Sequence, residues 1–79
     1  MKILLVEDEK ELSFSIAEYL QKENYVCETV SGYEHALEKI NLYQYDCVVV
    51  DIGLPDGSGL DLIRALKKVR PETGITIIS

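Results

Sequence analysis

Residues 2–6 run Lys-Ile-Leu-Leu-Val and stop abruptly at Glu7-Asp8-Glu9, the pattern of a strand covered on both faces. From Glu9 to about Lys22 the spacing changes. Leu12, Ile16, Ala17, Tyr19 and Leu20 recur at helical intervals, with Lys10, Glu11, Glu18 and Gln21 on the other side, which predicts a first amphipathic helix. Residues 25–30 are short and rich in β-formers, and Ser31-Gly32-Tyr33-Glu34 has the Ser-x-x-Glu form of a capping box. That box opens a second helix, with Ala36, Leu37 and Ile40 turned inward. Residues 46–51 repeat the opening pattern: an apolar run, Cys47 to Val50, ends in the carboxylate of Asp51. Leu54-Pro55-Asp56-Gly57-Ser58-Gly59 is loop chemistry. Leu60, Ile63, Leu66 and Val69 mark a third helix, whose end is signalled by Lys67, Lys68, Arg70 and then Pro71. Residues 75–78 read as a fourth strand. Strict alternation of strand and helix implies right-handed βαβ crossovers, hence an α/β fold with a parallel sheet between two helical layers.

Composition narrows the classes that this pattern leaves open. With 79 residues the chain makes one domain, and its apolar fraction of 47% argues for a packed core. Its formal net charge of −6 opposes binding to nucleic acid or anionic lipid. The longest aliphatic runs fall far short of the ~20 residues of a membrane span. Glu7-Asp8-Glu9 likewise cuts the first run short of the apolar core of a signal peptide, so the expected location is the cytoplasm. Cys27 and Cys47 have neither metal-ligand spacing nor the density of a disulfide scaffold. In strand order 2-1-3 they stand two strands apart, about 9.6 Å at ~4.8 Å per strand, beyond the roughly 7 Å that a disulfide spans. Both are expected to be free thiols.

The candidate chemistry lies at the strand ends. Glu7 and Asp8 follow the first strand and Asp51 closes the third, so in strand order 2-1-3 three acids converge on the crevice where the winding reverses. Like charges this close raise one another's pKa, and such clusters usually hold a hard cation through oxygen ligands; Mg2+ is the expected one. Asp51 is then placed as a nucleophile for phosphoryl transfer, and Ser79, at the end of the fourth strand, as a hydroxyl that donates to a phosphoryl oxygen. Taken singly, each residue has a plainer reading. Asp8-x-x-Glu11 is itself a capping box, Asp51 can begin an Asx turn, and Ser79 can be an ordinary terminal hydroxyl. His35 reads as solvated, Ser58-x-x-Asp61 as a helix cap, and Lys67, Lys68 and Arg70 as complements to a helix C-terminus.

The combination of Glu7-Asp8, of Asp51 followed by Gly53-Leu54-Pro55 and Gly59, and of Ser79 resembles the receiver domain of bacterial two-component response regulators. The resemblance covers the whole chain and about the first two thirds of such a domain. Asp51-Ile52-Gly53-Leu54-Pro55-Asp56-Gly57 is similar to the receivers of winged-helix transcription regulators. The resemblance implies a flavodoxin-like fold, here β-α-β-α-β-α-β in order 2-1-3-4, with residues 1–79 forming a partial receiver domain. It implies that Asp51 is the phosphoacceptor, that Glu7, Asp8, Asp51 and the backbone carbonyl of Gly53 hold Mg2+, and that Ser79 is the switch hydroxyl. It further implies a sensor histidine kinase as phosphoryl donor and a signalling module rather than an enzyme.

In full receivers a helix, a fifth strand bearing a lysine and a fifth helix follow the position of Ser79. The expectation for a chain without them is an open apolar edge at the fourth strand and self-association into a homodimer. Any DNA-binding domain would belong to a parent protein. Two alternatives stand beside this reading. One is a truncated or engineered receiver fragment that folds or dimerises but does not signal. The other is a Mg2+-dependent phosphohydrolase with an Asp nucleophile, a class that usually carries a second acid two residues on, where this chain has Gly53.

Overall fold

The computed structural model describes residues 1–78. Strand β1 (Lys2–Val6) leads to α1 (Lys10–Lys22), β2 (Val26–Val30), α2 (Tyr33–Leu42) and β3 (Cys47–Asp51). Two short strands, β4 (Gly53–Leu54) and β5 (Gly57–Ser58), precede α3 (Gly59–Val69) and the last strand, β6 (Gly74–Ile78). The main sheet is four-stranded in order β2-β1-β3-β6, with every pair parallel. The fourth long strand of the sequence pattern is therefore β6, and the predicted order 2-1-3-4 is the observed one. The segment read as plain loop holds a small antiparallel hairpin, Gly53 opposite Ser58 and Leu54 opposite Gly57. Ser79 lies outside the described residues.

The two faces of the sheet are unequally covered. Leu4, Val6, Val48 and Val50 meet Ala36 and Ile40 of α2 and Leu62 and Leu66 of α3 in one continuous buried cluster, which Leu54 and Tyr45 complete. Ile3 and Leu5 are also buried, while α1 on their side has no buried residue of its own. Leu12 and Tyr19, expected to point inward, are exposed, as is Phe14 at 67%. The half-buried side of α1 is Ile16, Ala17 and Leu20.

The stripe expected on α3 is also turned. Leu62 and Leu66 are buried, whereas Leu60 and Val69, assigned to the core from spacing, are exposed. The first turn explains the rotation. The Gly59 N–H donates to the Ile52 carbonyl at 2.9 Å, and a Cβ on Gly59 would collide with the Asp51 carbonyl oxygen and come within 2.8 Å of the Ile52 Cα. The helix thus starts flat against the chain leaving β3, and that contact sets which of its sides faces the sheet. Ser58 caps it as expected, its Oγ accepting from the Leu60 N–H at 3.2 Å. Asp61 pairs with Arg64 instead of completing a capping box.

Away from the acids, a polar clasp joins β1, β2, α2 and the approach to β3. The buried Tyr45 hydroxyl donates to Glu28 Oε1 at 2.6 Å, and Lys2 and Lys39 lie 3.7 and 3.8 Å from the same carboxylate. Lys2 also stands over the rings of Tyr43 and Tyr45. The Tyr45 hydroxyl, followed by the two ammonium groups, holds the Glu28 carboxyl below its ordinary pKa; burial and then the carboxylate push Tyr45 upward.

Cys27 and Cys47 are free, as expected. Both pair with Ile3, one from each side of β1.

Candidate functional site

Three of the expected site residues meet at the carboxyl ends of β1 and β3. Glu7, Asp8 and Asp51 each bring one carboxylate oxygen to a point where all three lie within 4.8 Å of one another. Their positions follow from the pairing of β1 with β3, in which Val6 lies beside Val50, so that the residues leaving both strands emerge together. Glu7 is buried, Asp51 half-buried and Asp8 exposed. Burial raises the Glu7 pKa, opposed by the Glu9 N–H that its Oε2 accepts at 3.0 Å and reinforced by the Asp51 charge. A carboxyl pushed toward its neutral form first by burial and then by a neighbouring carboxylate is unfavourable in isolation and suited to a cation that would neutralise its charge.

The plainer reading of Asp8 is not realised. The N-cap of α1 is Glu9, with no side-chain hydrogen bond. Asp51 does show local turn chemistry, since its Oδ1 accepts from the Gly53 N–H at 3.1 Å, and this bond orients the same carboxylate that the cluster uses. His35 is exposed, as expected. It lines an open cleft of about 460 Å³ beside the cluster, together with Glu7, Asp8, Lys10, Phe14 and Ser31.

One residue that sequence reading passed over is Asp56. The N-cap of α2 is Gly32 and no side chain of the expected Ser31 box bonds there. The first free amides are satisfied from a distance instead: the Tyr33 N–H donates to Asp56 Oδ1 at 2.6 Å and the Glu34 N–H to Oδ2 at 3.2 Å. These hydrogen bonds, Tyr33 first, hold the Asp56 carboxyl below its ordinary pKa. The available signal was negative: a helix start with glycine at its cap still needs an acceptor for its orphan amides.

No helix among the described residues is long and apolar enough to cross a membrane.

Comparison with known proteins agrees with this geometry. The family described as the response regulator receiver domain matches residues 3–79. The two-component response regulator PhoP of Pseudomonas aeruginosa is 39% identical over 79 residues, all of this chain and 35% of that protein. The cell cycle response regulator CtrA of Brucella ovis is 34% identical over the same span, 34% of its length. The chain thus spans about a third of the curated relatives it matches. Among solved structures, the non-phosphorylated HemR receiver domain of Leptospira biflexa superposes with a TM-score of 0.83 at 34% identity, over 96% of this chain and 61% of that one. The response regulator TrrA of Thermotoga maritima, solved in complex with Mg2+-BeF, gives 0.89 at 35% identity over 94% and 64%. The sheet order and helical layers are those of their flavodoxin-like fold. A match that begins inside β1 and runs to the last residue makes the conclusion direct: the chain belongs to the response regulator receiver domain family.

Proposed function

We propose that this chain is the phosphoacceptor module of a two-component phosphorelay. The observation that carries the reading is the convergence of the Glu7, Asp8 and Asp51 carboxylates within 4.8 Å at the strand ends. An Asp51 carboxylate oxygen attacks the phosphorus of a phosphohistidine on a sensor kinase. The new O–P bond forms as the P–N bond breaks, and the imidazole leaves with the electron pair. Gly53 orients the acceptor through its N–H bond to Asp51 Oδ1. Glu7, Asp8, Asp51 and the Gly53 carbonyl are the residues that would hold Mg2+. Two ligands of one Mg2+ at about 2.0–2.1 Å stand at most about 4.2 Å apart, so oxygens already within 4.8 Å need only a small adjustment. When bound, the ion offsets the charge that builds on the phosphoryl oxygens. Ser79 would donate a hydrogen bond to one of those oxygens.

Acetyl phosphate is the simplest donor for the test. With Mg2+ present, we expect a base-labile adduct of one phosphoryl mass that peptide mapping places on Asp51. Mapping to any other residue, or no adduct in the intact protein, would overturn the reading.

The same reading makes the protein cytoplasmic and leaves contact with nucleic acid to other parts of a parent protein, in keeping with the net charge of −6. It also includes self-association through β6. Among the described residues that strand lies at one side of the sheet and carries Ile77, 49% exposed, and an exposed apolar strand recruits another. Light scattering on the purified 79-residue chain should report a dimer at micromolar concentration; a well-folded monomer would refute this part.

A further inference from the structure

We infer that Asp56 is a positioning residue: it ties the loop that follows the acceptor to the start of α2 and thereby holds Asp51 and Gly53 in register. The inference rests on the phosphoacceptor reading for its functional meaning and on the contacts of the loop for its substance. Between Asp51 and Gly59 the chain is fixed at three places. Leu54 enters the core, Gly59 lies against Asp51 and Ile52, and Asp56, at the turn of the hairpin, grips two amides of another element. The first two anchor the base of the hairpin, and the third joins its turn to a helix 22 and 23 residues away in sequence.

The chain gives up a simpler solution to make this link. A serine at position 32 would cap α2 locally, which is the common arrangement, and the extended backbone of Gly32, φ −152° and ψ 173°, admits any residue. The space is taken: a Cβ on Gly32 would stand 2.9 Å from Asp56 Oδ1. On the other side of the contact, a Cβ on Gly57 would come within 2.7 Å of the Tyr33 ring. Two glycines thus let loop and helix approach closely enough for one carboxylate to serve both amides. Helix capping alone explains the hydrogen bonds, but it does not explain why their acceptor comes from the acceptor loop.

The glycine at position 32 also supplies the means to separate the two roles. Asp56→Ala removes both cap and link. Adding Gly32→Ser, now unobstructed, restores a local cap without the link. In the intact protein, amide exchange by NMR should be faster in Asp56→Ala both at Ala36, whose N–H donates to the Gly32 carbonyl, and at Gly53 and Gly59. In the double variant Ala36 should return to its original rate, while Gly53 and Gly59 stay about tenfold faster. Labelling of Asp51 by acetyl phosphate should remain about tenfold slower, the lower end of what losing an outer-shell partner costs. Wild-type exchange at Gly53 and Gly59, or wild-type labelling, in the double variant would reduce Asp56 to a helix cap and overturn the inference. Should Asp56→Ala fail to fold, Asp56→Asn keeps one acceptor for Tyr33 and is expected to give the same loop-specific acceleration to a smaller degree; unchanged loop exchange there is equally fatal. Absence of labelling in the wild type would defeat the phosphoacceptor reading, and the exchange measurements would still decide whether Asp56 holds the loop.

Discussion

Asp51→Asn should abolish the base-labile phosphoryl adduct and, without metal, make the protein more stable. The first effect follows from chemistry, since a carboxamide oxygen carries no charge with which to attack phosphorus. The second follows from the cluster. Unit charges within 4.8 Å of each other repel by at least about 0.9 kcal/mol even in a waterlike dielectric, and Glu7 is buried beside that charge. The Glu7 pKa is raised in the folded state, by burial first and then by Asp51. Its contribution to stability is therefore fully present below the ordinary carboxylate pKa of 4.5 and lost as pH rises through the raised value. Removing the Asp51 charge should recover about 1 kcal/mol at neutral pH, and the gain should shrink as the solution is acidified. Urea unfolding in EDTA at two pH values measures both. A variant less stable than the wild type at pH 7, or one that still takes up label at Asp51→Asn, would contradict the cluster as described.

Gly59→Ala should cost about 2–3 kcal/mol, toward the upper range for overpacking at a tight site, in a domain whose total stability is expected to be only about 5–15 kcal/mol. The added methyl meets backbone, not a yielding side chain: the Asp51 carbonyl and the Ile52 Cα. Either β3 must retreat or α3 must tilt, and a tilt would disturb the seats of Leu62 and Leu66. Gly53→Ala is the control, because a Cβ there finds no atom within 4 Å and should change stability by less than about 0.5 kcal/mol. With a urea dependence of about 1 kcal/mol per molar, the Gly59 variant should unfold about 2–3 M earlier than the control. Equal midpoints for the two alanines would show that the close approach is not a constraint.

Both predictions depend on contacts that sequence reading reached unevenly. The continuous runs of β1 and β3 announced buried central strands, and the acids that end them announced the cluster, because strand pairing carries residues at equivalent ends to the same place. Their order is as expected, as are the bounds of β1, while β3 begins one residue later than read, at Cys47. Spacing alone could not orient α3, since Leu60, Ile63, Leu66 and Val69 make a good helical stripe until Gly59 fixes the rotation and brings Leu62 inward. The start of α2 was misread for a related reason. Ser31 satisfies a local rule, but the amides of Tyr33 and Glu34 are met by Asp56, which nothing near them in sequence reveals. The hairpin of β4 and β5 is too short to show a period at all. On α1 the pattern named Leu12 and Tyr19 as core, yet the helix covers only part of its sheet face and leaves them in solvent.

The row formed by Cys27, Ile3 and Cys47 gives the fold a chemical ruler. Each sulfur belongs to a different neighbour of β1, so their separation records how far β2 and β3 splay. At about 9.6 Å between backbones the thiols are too distant to oxidise to one another, yet near enough for a short bifunctional reagent or a pair of spin labels to bridge or sense. A native pair of labels is thus already mounted across the sheet, to be read as the crevice at its upper end fills and empties.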